Sequence, residues 1–484
     1  MRENKSSRLE IFAPLALALG PFAFICLTQI GYESSLSQEA RAVAGLTFWM
    51  AIWWVSEVVP IPITAVLPLI VFPVSGVMEV KQVSGNFGHP LIYLFWGGFV
   101  IAIAMEKCGL HRRTAIAILK KTGTQPQVIV FGFMLAAAML SMWVTNTATT
   151  MMLLPIALSI GELFQNEEGE QNSRRFSLAL LLGLAYASSI GGLGTIVGTV
   201  PNALAVSYLE EAAGIKIDFI TWMMFAVPLV VILLPVVWFL LVRIVFPMDG
   251  TRVDITTVLE QSSKDLGAVS RQEKFVAAVF VLTASLWIFR PLLNAEVLPA
   301  PVSDTSIAVL GAVLLFAVPV EYKPLSFVMT WSDAGRLPWD LLLLFGGGLA
   351  LASGIKATGL SDWIGSLLLD APAMLPLIIV LLTVMTIIFL TELTSNTATT
   401  AAFLPVIGTV AMGLGMWTPQ LVLPAAIAAS CAFMLPVATP PNAIVYGSGK
   451  ITIGEMMRAG FLLNLVVMVV LVIYGYYILP LMIK

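Results

Sequence analysis

Two nearly identical hexapeptides, rich in amide and hydroxyl side chains, are the clearest candidates for ligand chemistry in this sequence. TNTATT occupies 145–150 and SNTATT occupies 395–400, so the copies stand 250 positions apart. The same offset relates their surroundings over 95–155, and an offset of 240 then relates 201–203 to 441–443. The chain therefore contains a twofold internal repeat with a small polar cluster in each copy.

The composition places these clusters in a membrane. The 484 residues are 59% hydrophobic and 11% charged, with a mean hydropathy of +0.95. Such a chain is an all-α polytopic membrane protein. Apolar runs long enough to span about 30 Å of hydrocarbon predict about eleven crossings, at 11–30, 42–59, 61–77, 90–107, 176–208, 219–246, 273–291, 304–321, 339–356, 419–448 and 459–481. The third is marginal because prolines shorten and bend it.

Two further apolar regions, 127–160 and 374–409, each hold one hexapeptide near the middle. We predict that both are re-entrant helical hairpins, because a polar tip inside the membrane is tolerated only where protein or a water-filled cavity surrounds it. Each half also contains an interrupted crossing, 176–208 and 419–448. Glycine and proline interrupt them from Gly191 through Asn202 and from Val437 through Asn442. We predict unwound helices whose carbonyls coordinate Na⁺, the alternative being a simple kink.

The basic residues predict the orientation. With a cytoplasmic N-terminus, most of the 25 Lys and Arg residues fall on the cytoplasmic side, as the positive-inside rule requires. The exceptions are Arg41, Lys81, Lys216, Arg290, Lys356 and Lys484. Five crossings separate the hairpins, so the hairpins open to opposite sides and the repeats are inverted. The chain is predicted to be one integral membrane unit, 1–484, with repeat one at about 42–246, a cytoplasmic linker at 247–274 and repeat two at about 275–481.

The hairpin tips suggest what is bound. Each places Asn and hydroxyl residues just before a helical run, so that side chains and free helix-start N–H groups face a ligand. Two such tips suit a ligand with two carboxylates; the alternative is that they only join helices. Neither the hexapeptides nor the unwound segments contain Lys or Arg, so an anion needs co-bound cations, which favours sodium coupling. For the acidic residues Glu57 and Glu392 we predict structural roles, as a turn cap and as a hairpin brace.

Taken together, these motifs resemble the divalent anion sodium symporter family, which includes Na⁺-coupled dicarboxylate and citrate transporters. The resemblance runs from about residue 40 to the end and rests on the paired (S/T)NT motifs, GTVPN at 198–202, ATPPN at 438–442 and W-x-x-E-x-x-P-I at 54–61. It implies a homodimer in which a scaffold domain holds the dimer. It also implies that a transport domain carrying both hairpins and both unwound helices moves as an elevator.

By this resemblance, particular residues hold the ligands. The substrate would rest on Asn146, Thr147, Ser395, Asn396, Thr397 and Pro440. One sodium would lie with Ser141, Thr145, Asn146 and Gly194, and another with Thr391, Thr394, Asn396 and Ala438. The sequence departs from the family at Thr145, where Ser is usual, and at Val200, where a second proline is common. The second motif is intact, which favours symport over exchange.

We therefore predict a Na⁺-coupled symporter that imports C4-dicarboxylates of the succinate, malate and fumarate class, without enzymatic activity. A carboxylate exchanger and a Na⁺-coupled citrate or sulfate transporter remain alternatives, as does a proton-coupled transporter or a channel. The chain lacks H-E-x-x-H and has two histidines, which gives an intramembrane hydrolase no evident base. The expected location is the plasma (inner) membrane, as a multi-pass protein. The expected partners are a dicarboxylate, sodium, lipid and a second copy, with no nucleic acid.

Overall fold

A computed structural model describes residues 3–29, 36–167, 170–248, 255–297, 301–368 and 375–483. The basic residues Arg2, Arg252 and Lys484 and the start of the second predicted hairpin, 374, lie outside the described residues. The α-helices are α1 (Glu3–Gln29), α2 (Gln38–Ser56), α3 (Ile61–Ala65), α4 (Pro68–Val74), α5 (Val80–Asn86), α6 (Pro90–Cys108), α7 (Leu110–Leu119), α8 (Pro126–Ser141), α9 (Asn146–Glu167), α10 (Glu170–Gly192), α11 (Val200–Ala213), α12 (Phe219–Phe239), α13 (Thr256–Asp265), α14 (Arg271–Leu292), α15 (Asp304–Ala317), α16 (Trp339–Ala357), α17 (Leu360–Leu368), α18 (Pro376–Thr391), α19 (Asn396–Gly413), α20 (Pro419–Ala429), α21 (Pro440–Gly447), α22 (Ile453–Ile473) and α23 (Leu479–Met482).

Shorter elements complete the chain. Three π-helical turns, Leu240–Val245, Leu293–Val297 and Tyr474–Ile478, continue the preceding helices, and a 3₁₀-helix covers Trp331–Arg336. Strands β1 (Pro319–Tyr322) and β2 (Leu325–Phe327) pair antiparallel as one small hairpin. Apart from connecting loops, the rest of the described residues are helical, as the composition predicts.

Seven helical stretches in the described ranges are long and apolar enough to cross a membrane. They are Val80–Cys108, Asn146–Phe164, Gln171–Gly192, Phe219–Val245, Arg271–Ala295, Trp339–Ala357 and Ile453–Met482. The count of eleven crossings stays a prediction, because several predicted spans are shorter apolar helices or are interrupted.

Three predicted segments differ in detail from the structure. The crossing at 61–77 is two short helices, α3 and α4, because the ring of Pro68 cannot continue the helix before it. The crossing at 304–321 ends as a helix at Ala317, where the chain enters β1. The predicted linker at 247–274 contains α13.

Glu57, predicted to cap a turn, ends helix α2 through its own backbone, which adopts a left-handed conformation with φ 50°.

The internal repeat is visible in where the helices begin. Helices α8 and α18 both begin with proline and span 16 residues each, and α9 and α19 both begin at the asparagine of a hexapeptide. Each half continues with an interrupted pair of helices, α10 with α11 and α20 with α21. The first interruption lies at 193–199, inside the predicted range, whereas the second begins at 430 and ends at 439, earlier than predicted.

The two halves pack into each other rather than side by side. Helix α9 of the first half contacts α21 of the second, and α19 of the second contacts α11 of the first. Two buried tyrosines join the halves by hydrogen bonds: the Tyr186 hydroxyl donates to the Phe433 carbonyl at 2.8 Å, and the Tyr208 hydroxyl donates to the Pro405 carbonyl at 3.4 Å. Both interrupted pairs are thus held against the opposite hairpin.

Candidate ligand site between the two hairpin tips

Each hairpin tip is a short loop that ends in a capped helix start. The Thr145 hydroxyl accepts a hydrogen bond from the Ala148 N–H, and the Ser395 hydroxyl accepts one from the Ala398 N–H, both at 3.2 Å. These are N-cap interactions, which favour helix formation at this residue and leave the earlier N–H groups of the first turn unpaired. Both tips therefore present free N–H groups and the positive end of a helix dipole.

The two tip asparagines are held in the same way. The Ser141 hydroxyl donates to Asn146 Oδ1 at 2.5 Å, and the Thr391 hydroxyl donates to Asn396 Oδ1 at 2.9 Å. Ser141 and Thr391 are fully buried, whereas both asparagines are partly exposed. A buried hydroxyl therefore fixes the orientation of each amide oxygen. Neither Nδ2 has a protein partner in the described part of the chain, so each is free to donate to a ligand.

A second pair of asparagines holds the two interruptions open. Asn202 Nδ2 donates to the carbonyls of Gly192 at 3.0 Å and Thr195 at 2.8 Å. Asn442 Nδ2 donates to the carbonyls of Ala432 and Leu435, both at 3.1 Å. In both halves, the two acceptor carbonyls belong to the residues ten and seven positions before the asparagine. A side-chain amide thus replaces helical N–H donors, which gives each unwound segment a fixed shape.

The tips and interruptions enclose one cavity of about 300 Å³. Eight of the residues predicted from sequence line it: Thr145, Asn146, Thr147, Ser395, Asn396, Thr397, Ala438 and Pro440. The opposite wall is apolar and comes from α6 and α16, where the Phe95 and Phe345 ring centroids are 4.6 Å apart. The described lining includes neither a basic nor an acidic side chain.

Four predicted residues lie outside this lining. Ser141 and Thr391 orient the asparagines from behind, and Thr394 is hydrogen-bonded to Thr399 next to its tip. Gly194 packs against the Met142 side chain. It is Gly198 that lines the cavity and stands 240 positions before Ala438. Gly194 stays a prediction as a sodium ligand, because a residue behind the lining can still offer its carbonyl, and Gly198 is a second candidate in the same glycine-rich segment.

Several lining residues were not identified from the sequence. Thr199 and Thr439 precede the two asparagine-bearing helices at equivalent positions, and Phe95 and Phe345 are equivalent across the hexapeptide offset. Both pairs recur at repeat spacing. A search for repeated residues beyond the polar hexapeptides would have found them.

Glu392, the predicted hairpin brace, makes more hydrogen bonds than expected. Its carboxylate accepts hydrogen bonds from the N–H groups of Phe433, Met434 and Leu435 at 2.7, 2.9 and 3.0 Å, and from Asn464 Nδ2 at 2.7 Å. These bonds explain why the second interruption begins before Val437. The carboxylate replaces the helical acceptors of three successive residues.

Comparison with known proteins assigns the family. The sodium:sulfate symporter transmembrane region matches residues 12–483. The chain therefore belongs to the sodium:sulfate symporters, the divalent anion sodium symporter family that its motifs resemble, and it is a membrane transporter rather than an enzyme.

Relatives agree with this assignment, and solved structures share the fold. The chain is 41% identical to the sodium-dependent dicarboxylate transporter SdcS of Staphylococcus saprophyticus, over 99% of this chain and 93% of that protein. It is 38% identical to SdcS of Staphylococcus aureus, over 99% and 94%. Two transporter structures share the fold: Neisseria gonorrhoeae MtrF (TM-score 0.58, 13% identity, 97% of this chain and 95% of that one) and Alcanivorax borkumensis YdaH (TM-score 0.56, 14% identity, 81% and 87%).

Proposed function

We propose that this protein is a Na⁺-coupled symporter that imports C4-dicarboxylates of the succinate, malate and fumarate class. The observation that carries the proposal is the cavity of about 300 Å³ between two capped helix starts with no basic side chain in its described lining. The relatives named as sodium-dependent dicarboxylate transporters support the same cargo and coupling ion.

The proposed dicarboxylate bridges the two tips. One carboxylate meets Asn146, Thr147 and the start of α9, and the other meets Ser395, Asn396, Thr397 and the start of α19, beside Pro440. Helix N-termini and amide donors stabilise negative charge without a formal positive charge. The methylene carbons of the substrate would lie toward Phe95, Phe99 and Phe345, which line the same cavity.

Two sodium ions would neutralise the dianion. The first lies by Ser141, Thr145 and Asn146, with a backbone carbonyl of the first interruption, from Gly194 or Gly198. The second lies by Thr391, Thr394, Asn396 and the Ala438 carbonyl. Neither the Gly198 nor the Ala438 carbonyl accepts a hydrogen bond from the described residues. Hydroxyl, amide and carbonyl oxygens are suitable ligands for a hard cation.

Cavity size favours a small anion. A volume of about 300 Å³ is at the lower end of the range of about 300–1,000 Å³ for small-molecule pockets. Citrate brings a third carboxylate toward an apolar wall that has nothing to neutralise it. Sulfate has a single anionic centre, whereas a dicarboxylate offers one carboxylate to each tip. Carboxylate exchange is the remaining alternative, since a symporter and an exchanger need the same anion site.

The proposed orientation, with a cytoplasmic N-terminus, is consistent with the ion pairs. Every ion pair in the described residues joins groups on the same predicted side. The cytoplasmic pairs are Lys107–Asp333, Arg336–Glu106, Arg113–Glu273 and Arg174–Glu455. The external pairs are Lys216–Glu210 and Arg290 with both Asp218 and Asp304. The membrane would be the plasma (inner) membrane, with the two hairpins opening to opposite sides.

An elevator movement in a homodimer completes the proposal. The hairpins and interrupted helices form one interlocked body. It faces the apolar side of the cavity, formed by Phe95 and Phe99 of α6 and Phe345 of α16, which we call the phenylalanine wall. An apolar wall has few directional bonds to break when that body slides past it. The dimer follows from the family resemblance, and chemical crosslinking in membranes tests it.

Uptake of labelled succinate into proteoliposomes tests the function. An inward Na⁺ gradient is compared with an equal K⁺ gradient, with and without unlabelled succinate inside. Uptake that requires Na⁺ and not internal succinate supports symport. Uptake that ignores Na⁺ but needs internal succinate would replace symport with exchange. If neither condition gives uptake, the substrate assignment fails, and citrate and sulfate are tested next.

A further inference from the structure

Two threonines at equivalent positions of the cavity lining are used differently. Thr199 precedes helix α11 and Thr439 precedes helix α21, and the offset of 240 relates them. The Thr439 hydroxyl accepts a hydrogen bond from the Asn442 N–H at 3.2 Å, and Thr439 is 3% exposed. Thr199 is partly exposed, and its hydroxyl makes no such cap and has no partner in the described residues. The first half of the site therefore offers a free hydroxyl, whereas the second half uses its hydroxyl to start a helix.

The backbone beside these threonines differs in the same direction. Helix α21 begins with Pro440 and Pro441, neither of which has an N–H group. Helix α11 begins with Val200, whose N–H group has no acceptor among the described residues. Val200 is also the position at which this chain departs from the proline that is common in its family. The first interruption thus presents a free hydroxyl and an N–H group where the second has a capping hydroxyl and a proline.

These groups lie next to the proposed position of the first carboxylate. Thr199 follows Gly198, and both residues line the cavity. A Cβ placed on Gly192 would lie 2.6 Å from Asn146 Oδ1 and 3.2 Å from the Gly198 carbonyl oxygen, so the tip asparagine and the interruption meet at this glycine. A substrate carboxylate bound at Asn146 therefore brings the neighbouring substrate carbon close to the first interruption.

We infer that Thr199 is a specificity-determining residue, which binds a hydroxyl group on the substrate carbon next to the first carboxylate. This inference rests on the proposed function, and within the C4-dicarboxylates it assigns the site to recognition of the 2-hydroxy type that malate represents. A threonine hydroxyl can both donate and accept, as an alcohol can. Succinate and fumarate have no oxygen on that carbon. A site that binds a substrate hydroxyl discriminates against the analogue without it, because its own polar groups are then left unpaired.

The same arrangement predicts stereoselectivity. The free hydroxyl lies in the first half alone, so malate must bind with its 2-hydroxyl end toward the first interruption. In one enantiomer the hydroxyl then points to Thr199. In the other enantiomer, held by the same two carboxylates, it points elsewhere, and the phenylalanine wall offers it no partner. The enantiomers have equal charge, volume and hydrophobicity, so a comparison between them isolates this one contact.

Competition for labelled succinate uptake tests the inference. Proteoliposomes with an inward Na⁺ gradient receive unlabelled L-malate or D-malate, and the two half-inhibitory concentrations are compared. For the wild-type protein we expect them to differ by about three- to tenfold, as for one neutral hydrogen bond. Thr199→Val keeps the branched shape but removes the hydroxyl. It should weaken the better enantiomer until the two values agree within about twofold, and the KM for succinate should rise by less than that enantiomer's half-inhibitory concentration.

Two further variants separate recognition from stability. Thr199→Ser keeps a hydroxyl and should keep the difference between the enantiomers; its loss would assign the difference to the methyl group and contradict the inference. Thr452→Val removes the hydroxyl that caps helix α22 at an exposed position outside the cavity lining. It should lower the melting temperature, as the loss of a cap does, and keep the difference. If the difference disappeared in Thr452→Val as well, a general loss of stability would account for it and the inference would fail.

Equal half-inhibitory concentrations of L-malate and D-malate for the wild-type protein would overturn the inference, and so would a difference that survives in Thr199→Val. An equal loss of affinity for succinate and malate in that variant would show that Thr199 binds a carboxylate instead. If Thr199→Val does not fold, Thr199→Ala is used for the same comparison. Failure of the proposed function is distinct, because the wild-type protein would then show no Na⁺-dependent uptake of succinate.

Discussion

Replacing the tip asparagines should separate transport from folding. In Asn396→Ala the Thr391 hydroxyl loses one acceptor but keeps the Ala429 carbonyl at 2.9 Å. The free energy of unfolding should therefore fall by only about 0.5–1.5 kcal/mol. In Asn146→Ala the buried Ser141 hydroxyl loses the one side-chain acceptor recorded for it, and the cost should be nearer 1–3 kcal/mol. Both variants should remain folded.

Transport should suffer far more than stability. Under the proposed function, each variant removes an amide that would donate to a substrate carboxylate and an oxygen that would coordinate a cation. A charge-assisted hydrogen bond contributes about 1.5–3 kcal/mol, which corresponds to about 10- to 150-fold in affinity. Initial uptake rates, measured over a range of succinate and Na⁺ concentrations, should fall at least about tenfold.

Asn294→Ala is the matched control for these variants. Its amide makes two hydrogen bonds with the Val302 backbone, at 2.8 and 3.0 Å, away from the cavity. It should lose comparable stability and keep its uptake. Near-normal uptake by Asn146→Ala or Asn396→Ala would refute the proposed site, and a loss of uptake in Asn294→Ala would show that the assay reports stability alone.

Four other substitutions test contacts near the site, between the two halves and at Arg290. In Gly192→Ala the new Cβ would lie 2.6 Å from Asn146 Oδ1, so uptake should fall with little change in melting temperature, whereas Gly335→Ala, with no atom within 4 Å, should keep both. Tyr186→Phe should cost about 1–3 kcal/mol in chemical denaturation, and Tyr208→Phe less, because its bond is longer. Arg290→Met leaves Asp218 and Asp304 without their arginine, although each keeps a backbone N–H donor. It should lower stability by about 1–3 kcal/mol, measured by thermal unfolding; an unchanged melting temperature would contradict this.

Much of the site could be predicted because the repeat marks it twice. A hexapeptide that recurs in register identifies the tips without structural information, and Asn146 and Asn396 indeed line the same cavity. The interruptions were also predictable, since glycine and proline in an apolar run disrupt a helix wherever they occur. Hydroxyl residues before each helix start predicted the caps that Thr145 and Ser395 form.

What the sequence could not provide are contacts between residues distant in the chain. Glu392 was expected to brace its own hairpin, but three of its four donors are backbone N–H groups some forty residues later, which no side-chain pattern marks. The phenylalanine wall faces the tips only because α6 and α16 pack against them. The role of Gly194 came from the family resemblance, and its packing against Met142 is a tertiary contact that glycine spacing does not reveal.

Coupled transport requires that the cations and the anion bind to one body, and the interlocked repeats provide a reason why they do. Tyr186 of the first half binds the Phe433 carbonyl in the second interruption, within the segment that Glu392 holds. Each half-site is therefore fixed to the other half of the chain, so neither tip can move toward its ligand alone. On this reasoning, a cation and a carboxylate bound in the proposed site would move together, because the hydrogen bonds of Tyr186 and Tyr208 join the two halves that hold them.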